Sequence, residues 1–493
     1  MHDADVTVVG LGPVGGMLTN LLANCGLRVV ALDREPGVMQ LPRGVGIDGE
    51  IMRIMQTIGL AAELEPRLKV FRGAQYLDAQ GQVVSTRPPI TGAGPQGWPN
   101  RYNVHQPELE QVLRDGMRRS PLVRELVGHE AERITDTGDD VEVTARDLRT
   151  GSPVTVRSRY LVGADGGRSL TRRAIGAEYE DYGLNQPWIV ADFQALPSAD
   201  LPEINTHYAD PVSPAIYIHV VRDIRRFEFR AAPGEDLENA TDPDVIWRRV
   251  SRWLAPDQAV LLRAAVYTHR SLVARHWRKG RILLAGDAAH QTPPFLGQGL
   301  CTGARDAVSL AWRLRDVLGR GAPQRLLNGY GTERAEHARR FIKTASELGG
   351  HLSAPTKDAI DALNRRVGRE GRGAAPKLGP GLFAPGDLGG TLAPQPRDAR
   401  ERLLDDIAGY EFAVVTPWPD DLSDEAREAV RRLRAAVVPS DDALESAFPA
   451  PGVIVRPDRY YYGGYGDAAS LNTALTDIAA AYATDERARS HAH

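Results

Sequence analysis

Three short stretches of this 493-residue chain carry backbone shapes and side chains that can grip a phosphorylated cofactor. The segment GLGPVGG sets glycines at Gly10, Gly12 and Gly15, and DGGRSLTR sets Asp165, Arg168, Ser169 and Arg172. The third, GDAAHQTPPFLGQGL, runs from Gly286 to Leu300 with one carboxylate, Asp287, then Pro293, Pro294 and two glycines flanking Gln298. In the first stretch Gly10 permits a tight turn, Gly12 lets backbone approach a pyrophosphate, and Gly15 lets helix and strand pack closely. Asp33 stands 23 residues beyond Gly10, where a carboxylate can bind a ribose hydroxyl. The pattern points to a dinucleotide, with NAD and FAD both open.

Regular elements must hold these loops in place. DVTVVGLGPVGGMLTNLLANCGLRVVALDREP reads as strand, glycine turn, amphipathic helix and strand. A pyrophosphate would then meet the unpaired N–H groups of a helix start, beside Pro13, Val14 and Arg34. SRYLVGADGG and RILLAGD each read as an apolar strand ending at an acid and a glycine, and CTGARDAVSLAWRL reads as a helix. At about 150 residues per domain the length suggests roughly three units.

Composition narrows the partners. With 42% hydrophobic and 25% charged residues and a net charge of -4, general attraction to nucleic acid or anionic lipid is not expected. The two cysteines, Cys25 and Cys301, form no CxxC, so neither a disulfide framework nor a thiolate zinc site is supported. The twelve histidines give no HxxxH or HExxH pattern on an evident helix, so no metal site is expected. No apolar run of about 18 residues occurs, and MHDADVTVVG enters a strand almost at once. The expectation is a cytoplasmic protein with a small-molecule partner, as a monomer or homodimer.

The order GxGxxG, DG, GD resembles the single-component flavoprotein aromatic hydroxylases, most of all their 3-(3-hydroxyphenyl)propionate hydroxylase branch. LPRGVGIDGEIMRIMQTIGL, VHQPELEQVL, NQPWIVADF, RRFEFRAAPGE and VYTHRSLVARHWRKGRILLAGDAAHQTPPF carry the likeness through most of residues 5–350. It implies an α/β chain with α+β elements: a Rossmann-like FAD-binding domain (1–180 and 270–349) with an inserted substrate-binding β-sheet domain (181–269 with part of 70–100). A Gly/Pro-rich connector (350–400) and a thioredoxin-like domain lacking CxxC (401–483) would follow. In the last of these DLSDEAREAVRRLRAAV reads as one charged helix between strands.

The resemblance also implies roles. FAD would be held by Gly10, Gly12, Pro13, Val14, Gly15, Asp33, Arg34, Arg43, Gln106, Asp165, Arg172, Asp287, Pro294, Gly297, Gln298, Gly299 and Leu300, with Arg168 able to touch the nicotinamide nucleotide. NADH or NADPH would reduce the flavin, and O2 would add to give a C4a-hydroperoxide that hydroxylates a phenolic substrate. Glycines at 297 and 299 would let backbone N–H groups approach the charged ring, with Pro293 shaping the loop.

Within PAIYIHVV, alternation puts Ala215, Tyr217 and His219 on one face and Ile216, Ile218 and Val220 on the other. The Tyr217 and His219 face would roof the substrate and begin a proton relay, or else be an ordinary solvated face. Arg226 could pair with an acidic substrate. His290, beside Asp287, reads as a structural hydrogen-bonding group. A reductase that passes electrons without inserting oxygen, and a flavoprotein that sequesters an aromatic ligand, remain the alternatives. The WxWxIP-type segment of flavin halogenases is missing.

Overall fold

The computed structural model describes residues 2–40, 43–208, 210, 214–353 and 375–483. Its first sheet has a parallel centre. Strand Ala4–Val9 lies between Pro153–Gly163 and Val29–Asp33, and the parallel run extends to Val123–Val127 on one side and Ile282–Leu284 on the other. Helices cover such strands on both faces, which is why they read as unbroken Val and Leu rather than as an alternation. Helix Pro13–Asn24 and helix Gly299–Gly319 share one core here through Met17, Leu18, Leu21, Cys301, Ala304 and Ala307.

The second sheet has eight strands. Its long members, Tyr179–Ala195 and Ala259–Ala274, pair antiparallel, and Ile224–Arg230, Ala215–Val221 and Asn205–Tyr208 continue it to Ala74–Leu77 and Val83–Arg87. At the opposite edge His290–Gln291 pairs with Leu272 and Val273. The segment carrying the third motif therefore edges the inserted sheet as well as following a strand of the first. Helix Pro243–Val250 covers one face, where Ile189, Phe193, Tyr217, Phe227 and Phe229 pack on Ile246 and Val250. Burying each Phe contributes roughly 1.5–3 kcal/mol. The other face turns toward Phe295.

Residues 375–400 form no helix or extended strand, yet Leu378, Ala393 and Gln395 are buried. Arg53 Nη1 donates to Ala393 O at 2.7 Å, and Gln395 Nε2 donates to Gln96 O at 2.8 Å. Residues 375–400 of the expected connector thus make a packed strap; helix Asn328–Ser353 takes its first four residues, and 354–374 lie outside the described residues. A four-stranded sheet follows in the order Ala436–Pro439, Ala413–Thr416, Gly452–Val455, Tyr461–Tyr465, with helices Asp424–Leu433 and Ala468–Ala481 on one face. The expected single helix across 421–437 is shorter. It stops at Leu433, Arg434 turns left-handed at φ +53°, and Ala436–Pro439 becomes a strand parallel to Ala413–Thr416. Val437 and Val438, β-branched, suit a strand better than a last helical turn.

Charged residues lock this unit to the rest. Glu333 and Asp458, fully buried, receive Arg456 Nη2 at 2.7 and 2.6 Å, and Arg313 reaches Glu333 at 2.6 Å. Burial would raise the Asp458 carboxyl, but Arg456 and then Arg313 overcome it and hold it down at about 2. Removing either partner would leave an uncompensated buried charge. Among the described residues no helix is long and apolar enough to cross a membrane.

Candidate functional site

The glycine loop is shaped for a ligand that presses on backbone. Gly10 has φ +95°, and a Cβ there would lie 2.4 Å from Ala164 O; at Gly15 it would lie 1.8 Å from Gly10 O. At Gly12 a Cβ would meet nothing within 4 Å. Gly12 caps helix Pro13–Asn24 without any side-chain hydrogen bond, so the first-turn N–H groups face open space. Val14 closes against Gly286 and Gly303, where an added Cβ would meet its methyls at 3.0 and 2.5 Å.

Asp33 lies at this loop. It accepts Leu11 N–H at 2.6 Å and Glu35 N–H at 2.8 Å, which fixes the strand end beside the glycines. Arg114 Nη2 stands 3.6 Å from it. Sequence reasoning gave Arg114 no role, yet it is 2% exposed and its Nε and Nη1 have no partner among the described residues. A buried guanidinium with unmet donors is costly, and a ligand phosphate or hydroxyl would satisfy it. Arg34 points outward to Glu35.

The second and third motifs are stitched together. Asp165 accepts Ser169 Oγ–H, Thr171 N–H at 2.9 Å and Thr171 Oγ1–H at 3.0 Å, bracing helix Leu170–Ala174. Arg172 donates to Gly167 O at 3.1 Å and to the Tyr179 hydroxyl at 2.6 Å, and that hydroxyl donates to Asp287 O at 3.2 Å. Gln291 Nε2 adds a bond to Tyr179 Oη at 3.2 Å. Neither Tyr179 nor Gln291 stood out in the sequence, because nothing local shows that the strand starting at Tyr179 runs past Asp287. Arg168 is exposed.

Asp287 keeps a side chain 44% exposed, 3.5 Å from Arg43 Nη1. Gln106 Oε1 accepts the N–H groups of Arg43 and Gly44 at 2.9 and 2.7 Å, so its work is to hold this loop. Beyond Pro293, Pro294–Leu296 makes one tight turn, Gly297 is left-handed at φ +65°, and Gln298 opens helix Gly299–Gly319. That helix start has no acid in its first turn and no side-chain cap, and a Cβ on Gly299 would meet nothing nearer than 3.8 Å. Its free N–H groups and dipole favour negative charge. The Gln298 side chain itself turns inward, donating to Asp48 at 3.2 Å and accepting Arg305 at 2.8 Å. Arg305 is fully buried and also holds Asp48 and Glu50, each at 2.6 Å. Leu300 lies over Gly44.

His290 is structural: its Nε2 is 2.8 Å from Asp306 Oδ2, both fully buried, and Arg334 takes the other Asp306 oxygen at 2.9 Å. Burial raises the Cys301 thiol, so it stays protonated.

Three substrate-side expectations are corrected. Tyr217 lies on the face covered by helix Pro243–Val250, its ring tilted against Phe227 at 5.2 Å, with its hydroxyl donated to Pro202 O at 2.8 Å. His219 directs Nε2 to Arg222 O at 2.9 Å and Nδ1 toward Glu203 at 3.5 Å, and burial lowers it to about 4. Arg226 does face the cofactor loops, but it grips Asp192 at 2.6 and 3.0 Å and Arg43 O at 3.0 Å. It tethers the Arg43 loop instead of waiting for an acid. Alternation was right about which residues share a face; the helix that covers one face lies beyond its reach.

A glycine cradle too tight for Cβ atoms, an open Gly12, two uncapped helix starts and two unpartnered Arg114 nitrogens fit FAD. A family model described as "FAD binding domain" matches residues 3–345. The chain is 36% identical over 512 residues to "Probable NADH-specific resorcinol 4-hydroxylase" of Rhodococcus jostii, covering 97% of this chain and 95% of the relative. It is 36% identical over 447 residues to "3-(3-hydroxy-phenyl)propionate/3-hydroxycinnamic acid hydroxylase" of Mycolicibacterium gilvum, covering 85% and 76%. Aklavinone-11 hydroxylase with FAD and aklavinone shares the fold at TM-score 0.83 and 22% identity, over 97% of this chain and 99% of that one. The flavin-dependent monooxygenase PieE does so at 0.81 and 20%, over 98% and 100%. Taken with the three motifs and the cradle they build, these matches show that the chain belongs to the FAD binding domain family, among the flavoprotein aromatic hydroxylases.

Proposed function

We propose that the chain hydroxylates a phenol of the resorcinol or hydroxyphenylpropionate kind, using FAD, a nicotinamide nucleotide and O2. The observation that carries this reading is the uncapped start of helix Gly299–Gly319, whose loop brings Phe295 against the aromatic face of the inserted sheet. One loop thus serves a flavin on one side and an aromatic ring on the other. Bound FAD supplies hydride acceptance and oxygen activation.

The chain's own residues do the rest. Gly10, Gly12 and the first turn of helix Pro13–Asn24 take the pyrophosphate, and Arg114 with Asp33 takes the adenosine end. Asp287 takes the ribityl chain, with Arg43 beside it. The N–H groups that follow Gly297 would favour negative charge on a ring bound there, and Arg305 holds that loop through Gln298 and Asp48. Apolar surface from Ile216, Ile218, Val220 and Val45 excludes water. Arg168, exposed, can meet the nicotinamide nucleotide. The relative's name favours NADH.

The test is NADH and NADPH oxidation by the FAD-loaded chain with and without resorcinol and 3-(3-hydroxyphenyl)propionate. Stimulation of tenfold or more with a hydroxylated product supports the reading. Equal oxidation without a phenol, and no product, would instead indicate a reductase.

A further inference from the structure

Three buried polar atoms on the flavin-side face of the inserted sheet have no hydrogen-bond partner among the described residues: Trp188 Nε1, His269 Nε2 and Gln186 Oε1. They lie together. Gln186 and His269 are direct cross-strand partners, and Trp188 sits two residues along the same strand face. The rings of Trp188 and His269 are 5.8 Å apart, and Phe295 stands edge-on to both, at 6.1 and 6.4 Å. Trp188 is 4% exposed.

Native interiors satisfy nearly all such groups, and each one left unmet costs roughly 1–3 kcal/mol. Three in one aromatic corner, two residues before Gly297, call for a ligand that completes them. The chemistry of that ligand can be read from the atoms. An indole N–H only donates; an imidazole offers one donor and one acceptor while neutral. Burial keeps His269 neutral down to about 4. A hydroxyl on an aromatic ring matches the indole and imidazole pair, since it accepts one hydrogen bond and donates another in the ring plane.

We propose that Trp188 and His269 anchor the substrate's phenolic hydroxyl, the indole N–H donating to the phenol oxygen and His269 Nε2 accepting its O–H. Phe295 turns from its cover over the pair to lie against the substrate ring. The assignment rests on the hydroxylase reading above and names the residues that select its substrate.

The experiment compares FAD-loaded wild type with Trp188→Phe and His269→Phe, which keep an aromatic ring and remove the nitrogens. Equilibrium binding of resorcinol and of 1,3-dimethoxybenzene is followed by the change in flavin absorbance. Wild type is expected to prefer resorcinol roughly tenfold, the worth of one or two hydrogen bonds. Each variant should fall to within about twofold, with FAD content and melting temperature retained. If Trp188→Phe loses FAD through poor folding, His269→Phe carries the test. A folded, FAD-bound variant that keeps the full preference while phenols still stimulate wild-type turnover overturns the anchor alone. A wild type that neither binds resorcinol nor responds to phenols overturns the hydroxylase reading, and the anchor with it.

Discussion

The two faces of the inserted sheet come from the same strands and use their polar atoms in opposite ways. Toward helix Pro243–Val250, Phe193, Phe227, Phe229 and Trp253 pack ring against ring, and the buried phenol of Tyr217 ends on Pro202 O at 2.8 Å. Toward the Phe295 loop, Trp188, His269 and Gln186 leave donors and acceptors unmet, while Arg226 and Arg263 share Asp192. On the helix side the unmet atoms, His219 Nδ1, Arg225 Nε and Arg249 Nε, belong to groups whose other nitrogens are paired within the chain, whereas the single polar atom of the Trp188 side chain is left for a ligand to close. The difference lies in completion, since both faces are aromatic.

The largest effect should come from breaking the closed face. Phe227→Ala removes a fully buried ring and should cost about 3–5 kcal/mol in urea unfolding. Any folded fraction should keep the wild-type preference for resorcinol over its dimethyl ether; a changed preference would mean that this face reaches the substrate. Tyr217→Phe is gentler. Loss of one buried hydrogen bond should cost about 1 kcal/mol, with KM for resorcinol unmoved. A raised KM would restore the relay role that the sequence suggested for Tyr217.

A third prediction sharpens the open face by pH. Burial lowers His269 from 6.5 to about 4, so the fold favours the neutral ring while the unfolded chain takes up a proton first. The stability this gives is complete above pH 6.5 and is lost as pH falls from 6.5 toward 4. Urea midpoints at pH 7.5, 5.5 and 4.5 should therefore fall more steeply for wild type than for His269→Phe. Parallel pH curves would show that His269 is not held neutral by the fold.

The glycine turns were legible in the sequence because backbone builds them. Gly10 and Gly15 can be read from one chain, since the clash of a Cβ with Ala164 O or Gly10 O is a local consequence of strand, turn and helix. Asp287 and Gly297–Gly299 followed for the same reason. What escaped was set by distant packing. Arg114 meets Asp33 across a helix, Tyr179 meets Asp287 across a sheet edge, and Arg305 binds Gln298 to Asp48 through a fully buried network. Tyr217 and His219 were misplaced because a period of two assigns residues to faces without saying what each face meets. The same alternation in PWIVADF and VYTHR puts Trp188, Tyr267 and His269 together, but only Phe295 beside them marks their side as the one near the flavin loop.

Whether the chain inserts oxygen into a phenol is read from the fate of labelled O2. FAD-loaded protein is incubated with NADH, resorcinol and oxygen-18 gas, and the product is weighed by mass spectrometry. One oxygen-18 atom is expected per hydroxylated product, with NADH consumed in step. NADH oxidation with all label recovered as hydrogen peroxide and water, across resorcinol and 3-(3-hydroxyphenyl)propionate alike, would contradict it.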